Sequence, residues 1–330
     1  MRKRIALTCA LAFVLAGTGV VLAAEDGRAA EVMAAARKAI GDKKLDGVKT
    51  LTVEAQVQRN VGAMQMTTET EILLELPDRY LRSDTASGPM GGGMTSGFNG
   101  DKPIRPANAN MSMAGGGMVI RMGPGAPPPG EKASPEEQER LDKLMLRNAR
   151  VELSRLMLGW FAAAHPSIGA AFTYGGEAES PDGKADVIDV KNADGFNARL
   201  FIDRETHLPL MITYQGPQPR VVTAGGPMRQ AAPPPAAGGH VVVQQAPERR
   251  EMTEEERRKA REEAEKQVEA MRNQPPAMVE YSLFFDDWRE VGGIKFPHRL
   301  RRAMSGATNE EWTINKVRVN PKIDSKKFEG

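Results

Sequence analysis

The stretch ARLFIDRETHLPLMITYQ, Ala198–Gln215, has two readings. Asp203, Glu205 and His207 stand close together, as two carboxylates and an imidazole would at a metal or proton-transfer site. Yet Leu200 and Ile202 alternate on one side, and Leu208, Leu210 and Ile212 do so on the other. That is a period of two, the mark of strands with one wet face. DRETH then falls where a hairpin must turn, with Asp203 and Thr206 able to accept backbone N–H bonds and Leu208-Pro209 restarting the strand. Sequence neighbours in a turn splay outward, so these three residues are expected to carry no chemistry.

The same habit spreads in both directions. SPDG (180–183) joins strands over 171–178 and 185–191, and NADG (192–195) joins the next pair. Upstream, KTLTVEAQVQRN (49–60) puts Leu51, Val53, Ala55 and Val57 on one face. Gly62 turns the chain, and MQMTTETEILLEL (64–76) returns with Met64, Met66, Ile72, Leu74 and Leu76 inward before Pro77. RYLRSD (79–84) reads as a third strand. Downstream, MVEYSLFFDDWREVGGIKFPHRL is two strands around Val291-Gly292-Gly293, and EWTINKVRV is a last one. Two helices are expected. Glu31–Ile40 is Ala-rich and meets Gly41. The other opens at Ser134-Pro135-Glu136-Glu137, a capping box with Pro at the first helical position. Its apolar stripe is Leu141, Leu144, Met145, Ala149, Leu153, Leu156, Met157, Trp160 and Phe161, wide enough to need burial against the dry sheet face.

Arg2, Lys3 and Arg4 precede an apolar run, Ile5–Leu22, that ends in VLAAED. This predicts a cleavable export signal over 1–24, and no membrane anchor after cleavage. The signal would take with it Cys9, the only cysteine, and three cations, moving the net charge from +2 to −1. Neither value marks a nucleic-acid binder. Residues 25–330 read as a single domain carrying excursions. Gly/Met-rich 86–130 and Pro/Gly-rich 216–247 have too few large apolar residues to offset their ordering entropy and are expected to be mobile. Thr253–Asn273 reads as a solvated charged helix, either a spacer or an arm for an envelope protein partner. The four scattered His form no zinc spacing, and nucleophile-elbow, P-loop and dinucleotide motifs are absent. His165 is expected at a helix end, favouring the macrodipole, and His298 half exposed on a strand. No enzyme activity and no cofactor are expected.

Several motifs in order, LDGVKTLTVEAQVQ, TETEILLELPDRYLRSD, GFNGDKPI, LFIDRETHLPLMITY and TINKVRVNPKIDSKKFE, resemble the LolA/LolB-like periplasmic family of outer-membrane lipoprotein sorting. The resemblance implies an α+β fold: a curved, half-open antiparallel β-barrel with helices packed on its concave face. It also implies a carrier of lipid or lipoprotein acyl chains, working in the periplasm. Two features depart from the family. Leu76 stands before Pro77 where the carriers have an Arg, and Pro103, Ile104 and Arg105 follow the Asn99-Gly100 turn in place of aromatic residues. Combined with the alternation above, the candidate ligand-contacting residues are Val53, Val57, Ile72 and Leu74 on the sheet, Leu153, Leu156 and Trp160 on the helix, and Tyr281. Two other functions fit single features. One is a lipid-sensing regulator of envelope stress that uses the charged helix. The other is Cu(I) binding by the thioethers of Met90, Met94, Met111, Met113, Met118 and Met122.

Overall fold

The computed structural model describes residues 18–61, 64–86, 93–105, 112–114, 117–121, 134–180, 183–218, 221–224, 253–255, 258–259, 262 and 277–329. Two helices lead, α1 (Thr18–Ile40) and the single turn α2 (Lys43–Asp46). Five strands follow: β1 (Thr50–Val61), β2 (Met64–Glu75), β3 (Arg79–Ala86), β4 (Gly93–Asn99) and β5 (Lys102–Ile104). Two short strands, β6 (Ser112–Ala114) and β7 (Gly117–Arg121), precede the long helix α3 (Pro135–Phe161). Then come β8 (Ala171–Ser180), β9 (Gly183–Lys191), β10 (Asn197–Asp203), β11 (Pro209–Pro217) and β12 (Val221–Ala224). β13 (Met278–Val291), β14 (Ile294–Met304) and β15 (Ala307–Val319) close the fold.

Twelve strands form one sheet in the order β5-β4-β3-β2-β1-β15-β14-β13-β11-β10-β9-β8. Every neighbouring pair is antiparallel. The sheet does not close, since β5 and β8 are both edges. It nevertheless wraps around its cover. α3 touches β4 and β5 at one edge and β10 and β11 near the other, and α1 touches β8 and β14. One helix can reach strands so far apart in the order only if the sheet curves around it, which right-handed strand twist favours.

The inward residues follow the alternation. Leu51, Val53, Ala55 and Val57 are buried on β1 and face Leu74, Ile72, Thr70 and Thr68 of β2. Ser134 caps α3 with both arms of the capping box in place, and Ala162 ends the helix in the left-handed region. The predicted stripe is buried only from Ala149 onward; Leu141, Leu144 and Met145 are half-exposed, where the first turns of α3 lie at the sheet edge and Asp142 pairs with Arg105 just beyond β5 (2.6 Å). At Trp160 helix and sheet touch. The indole lies 5.0 Å from the Phe296 ring, and a Cβ on Gly159 would fall 1.9 Å from Phe285 Cζ.

Several elements differ from expectation. α1 begins at Thr18 rather than near Glu31. β4 and β5 come from inside the Gly/Met-rich tract and extend the main sheet, with Phe98 and Ile104 buried. Asn99-Gly100 makes their turn, as the resemblance implied, with Gly100 taking a positive φ of 60°. The two long tracts also meet each other: β12 pairs with β7, and β7 with β6, in a separate three-stranded sheet. The expected mobility of the remaining tract residues concerns positions outside those described, as does most of the export signal. So does most of the charged helix, where only the pairs Lys259–Glu255 (3.2 Å) and Arg258–Glu262 (3.9 Å) can be placed. Among the described residues no helix is long and apolar enough to cross a membrane.

Candidate functional site

DRETH is a turn. Asp203 Oδ1 accepts the backbone N–H of Glu205 (3.2 Å) and of Thr206 (2.6 Å), and the Thr206 hydroxyl donates to it at 2.7 Å. The His207 N–H donates to Asp203 O at 2.9 Å, and His207 takes a φ of 57°. Asp203 thus spends its carboxylate on the backbone, while Glu205 and His207 stay exposed. Changing Asp203, Glu205 and His207 to Asn, Gln and Asn is expected to shift stability by no more than about 0.5 kcal/mol. It should also leave ligand affinity unchanged. A tenfold loss of affinity in a titration would restore the three as a site.

The eight candidate residues are brought together in one buried cluster on the concave face. Val53, Val57, Ile72, Leu74, Leu153 and Trp160 are completely buried, Leu156 nearly so, and Tyr281 is 8% exposed. None of the eight lines the open space nearby, which meets the same buried cluster at Met33 and Ala162. A groove of about 450 Å³ runs along the seam of α1 and the end of α3, lined by Ala30, Met33, Arg37, Ala162, Ala163 and Phe172 among others. Its walls are mostly apolar, and it is a shallow depression that opens to solvent. Arg37 supplies a polar edge, donating to Phe161 O (3.3 Å) and pairing with Asp46 (2.8 Å).

Beyond Val57 and Tyr281 the concave face turns polar, which the sequence reading missed. Arg59 on β1 pairs with Glu310 on β15 and with Asp84 on β3, each at 2.9 Å. Arg82 donates to Asp84 (3.1 Å) and to Glu152 of α3 (2.6 Å), and its guanidinium lies 4.6 Å from the Trp312 ring centre. Thr70 donates to Asp84 at 2.7 Å, and the Trp312 indole N–H donates to Glu310. Arg302 lies 3.7 Å from Glu310, and Arg155 stacks on Tyr214 at 3.6 Å. Burial alone would raise the carboxyls of Asp84 and Glu310. Arg82 with Arg59 holds Asp84 below the usual range, and Arg302 with Arg82 holds Glu310 far below it. A signal was present: in RYLRSD, Tyr80, Arg82 and Asp84 share inward parity, so two charges were bound for the interior.

Neither expected histidine role survives. His165 lies beyond the end of α3, buried, its ring edge-on to Phe98. The Ser167 N–H donates to Nδ1 (3.2 Å), so Nε2 carries the proton and donates to Pro77 O (2.6 Å). Burial lowers its pKa, and a neutral ring offers nothing to the macrodipole. His298 is buried, with Nδ1 3.0 Å from Phe296 O. Of the methionines considered for copper, Met94 is half-exposed on β4, Met113 stands opposite Met118 in the β6–β7 register, and Met90, Met111 and Met122 lie outside the described residues. Among the described residues no group of His, Cys, Asp and Glu could hold a metal ion.

The architecture is an open, curved antiparallel sheet folded around helices. It is similar to that of a LolA superfamily protein from Nitrosomonas europaea, at 8% identity, covering 91% of this chain and 96% of that one, with a TM-score of 0.44. It is also similar to a DUF1329 family protein from Desulfovibrio piger (11% identity, 91% and 96% covered, TM-score 0.40). A third similar structure is a domain assigned to outer membrane lipoprotein sorting from Vibrio parahaemolyticus (8%, 92% and 97%, TM-score 0.42). No protein-family model matches the chain, and no curated protein matches it in sequence.

Proposed function

We propose that this chain is a periplasmic carrier that holds the acyl chain of a lipid or lipoprotein between its helices and the concave face of its sheet. The reading rests on one observation above all: the sheet stays open, and a shallow apolar groove at the α1–α3 seam meets the buried apolar cluster at Met33 and Ala162. Such a site needs shape and apolar area rather than a reactive group. A guest would enter at Ala30 and Phe172 and lie against Leu153, Leu156 and Trp160 of α3 and against Val53, Val57, Ile72, Leu74 and Tyr281 of the sheet. The basic start and apolar run of residues 2–22 support export.

Fatty acids of increasing length, titrated against the purified protein, test this. Each buried CH₂ is worth about 0.8 kcal/mol, so affinity should climb about fourfold per carbon until the space is full. Leu156→Trp should weaken binding by filling the interior. Affinity that does not change with chain length would sink the carrier reading. In that case Leu156→Trp should only overpack a closed core, at about 1–3 kcal/mol.

A further inference from the structure

We propose that the polar end of the concave face is an anion site that takes a phosphate or carboxylate group. Four donors on this face are buried without a hydrogen-bond partner among the described residues: Tyr80 Oη, Arg82 Nη2, Arg155 Nε and Arg302 Nε. Arg82 is only 5% exposed, so bulk water does not satisfy its free N–H. Ion pairs link Arg82 through Asp84, Arg59 and Glu310 to Arg302, Tyr80 shares the inward parity of Arg82 on β3, and Arg155 stands one turn along α3 from Glu152, the partner of Arg82.

Two further observations give the guest its sign. The first is the charge balance. Four guanidiniums, of Arg59, Arg82, Arg155 and Arg302, meet three carboxylates, of Asp84, Glu152 and Glu310, leaving one positive charge over. The surplus is Arg155, which has no ion pair among the described residues and only the face of Tyr214 beneath it. The second is the direction of the free groups. The three orphan guanidinium N–H groups can only donate, so they call for a guest rich in acceptors, and fork-shaped guanidiniums match phosphate and carboxylate. Above the charges the rim is apolar. Met66 and Met94 stand opposite Arg59 and Asp84 in register and are 37% and 48% exposed. An acidic head with an apolar body suits this mouth, and so does a free anion. The amphiphile form rests on the carrier reading above; the anion site itself does not.

Isothermal titration of the full chain with decyl phosphate, decanol and inorganic phosphate at low salt separates these. Decyl phosphate should bind at least tenfold more tightly than decanol, and the advantage should shrink as salt rises. Arg155 strands no carboxylate when removed, so Arg155→Gln should bring decyl phosphate down to the affinity of decanol while decanol binds the variant as before. That unchanged arm also reports an intact fold. Binding of inorganic phosphate that is lost in Arg155→Gln upholds the site with a free anion as its guest, even where neither decyl compound binds and the carrier reading fails. Equal affinity of the parent for decyl phosphate and decanol overturns the anion site and leaves the carrier reading standing. An anionic advantage that persists in both Arg155→Gln and Arg302→Gln overturns it too.

Discussion

Arg82→Ala is expected to destabilise the protein by about 3–5 kcal/mol at pH 7, the usual cost of removing one partner from a buried ion pair. The loss has three parts. Glu152 loses its 2.6 Å partner, Asp84 keeps only Arg59 and Thr70, and Trp312 loses the guanidinium over its ring. The desolvation already suffered by the two carboxylates is then left uncompensated. The pH dependence identifies the cause. Asp84 and Glu310 have folded pKa values below their unfolded values of about 4. Their contribution is therefore complete above pH ~4 and is lost as pH falls through the folded values. The gap between parent and variant should shrink as pH falls below about 4, because the advantage Arg82 gives to ionised Asp84 and Glu310 is lost as pH falls toward their lowered folded values. Urea unfolding at pH 7 and pH 3 measures both quantities. A gap below 1 kcal/mol at pH 7, or one that is the same at both pH values, would show that Arg82 acts through packing and not through charge.

The part of the fold that could be read from sequence is the part written in local periodicity. Leu51, Val53 and Val57 alternate without interruption, and SPDG and NADG are turn chemistry, so strands and hairpins followed. The capping box at Ser134 likewise placed the start of α3 at the right residue. Periodicity missed β4, which only the resemblance of GFNGDKPI to a strand–turn segment marked, because its one large apolar residue, Phe98, sits among Gly, Ser, Thr and Met; its strand state comes from pairing with β3, and not from its own composition. The polar end of the site escaped for a related reason. Arg59 meets Glu310 only because β1 and β15 are paired in a particular register, 251 residues apart along the chain. An isolated inward Arg looks like a surface residue until the strand beside it is known. The burial of the eight candidate residues was legible because burial needs only parity. The charged cluster needs partners, and partners are a property of the sheet order.

Gly159→Val should cost about 3 kcal/mol, the upper end of ordinary overpacking. Glycine in a helix interior is itself worth about 1 kcal/mol less than alanine, so something other than propensity places it in the last turn of α3. The reason is β13. A Cβ at position 159 would lie 1.9, 2.2 and 2.4 Å from Cζ, Cε1 and Cε2 of Phe285. That ring cannot swing aside, because Phe285 is 1% exposed and stands opposite the buried Leu300 in the β13–β14 register. Valine adds two methyl groups and is held near one rotamer in a helix, so the strain must go into the backbone. Gly159→Ala should cost less, since its propensity gain offsets part of the clash. The contact is tested by a cycle with Phe285→Leu, which removes the opposing ring. The double variant should be more stable than the sum of the single losses predicts, by about 0.5–3 kcal/mol. Additive losses would place the strain elsewhere in α3. Under the proposed carrier function the same residue also bears on uptake. The end of α3 forms one wall of the groove through Ala162 and Ala163. A helix forced off Phe285 should lift that wall, so in Gly159→Val uptake of a fatty acid should quicken even as the melting temperature falls. Stopped-flow binding at a temperature where the variant is still folded would read this directly. Slower uptake would mean that the seam between α1 and α3 is not the way in.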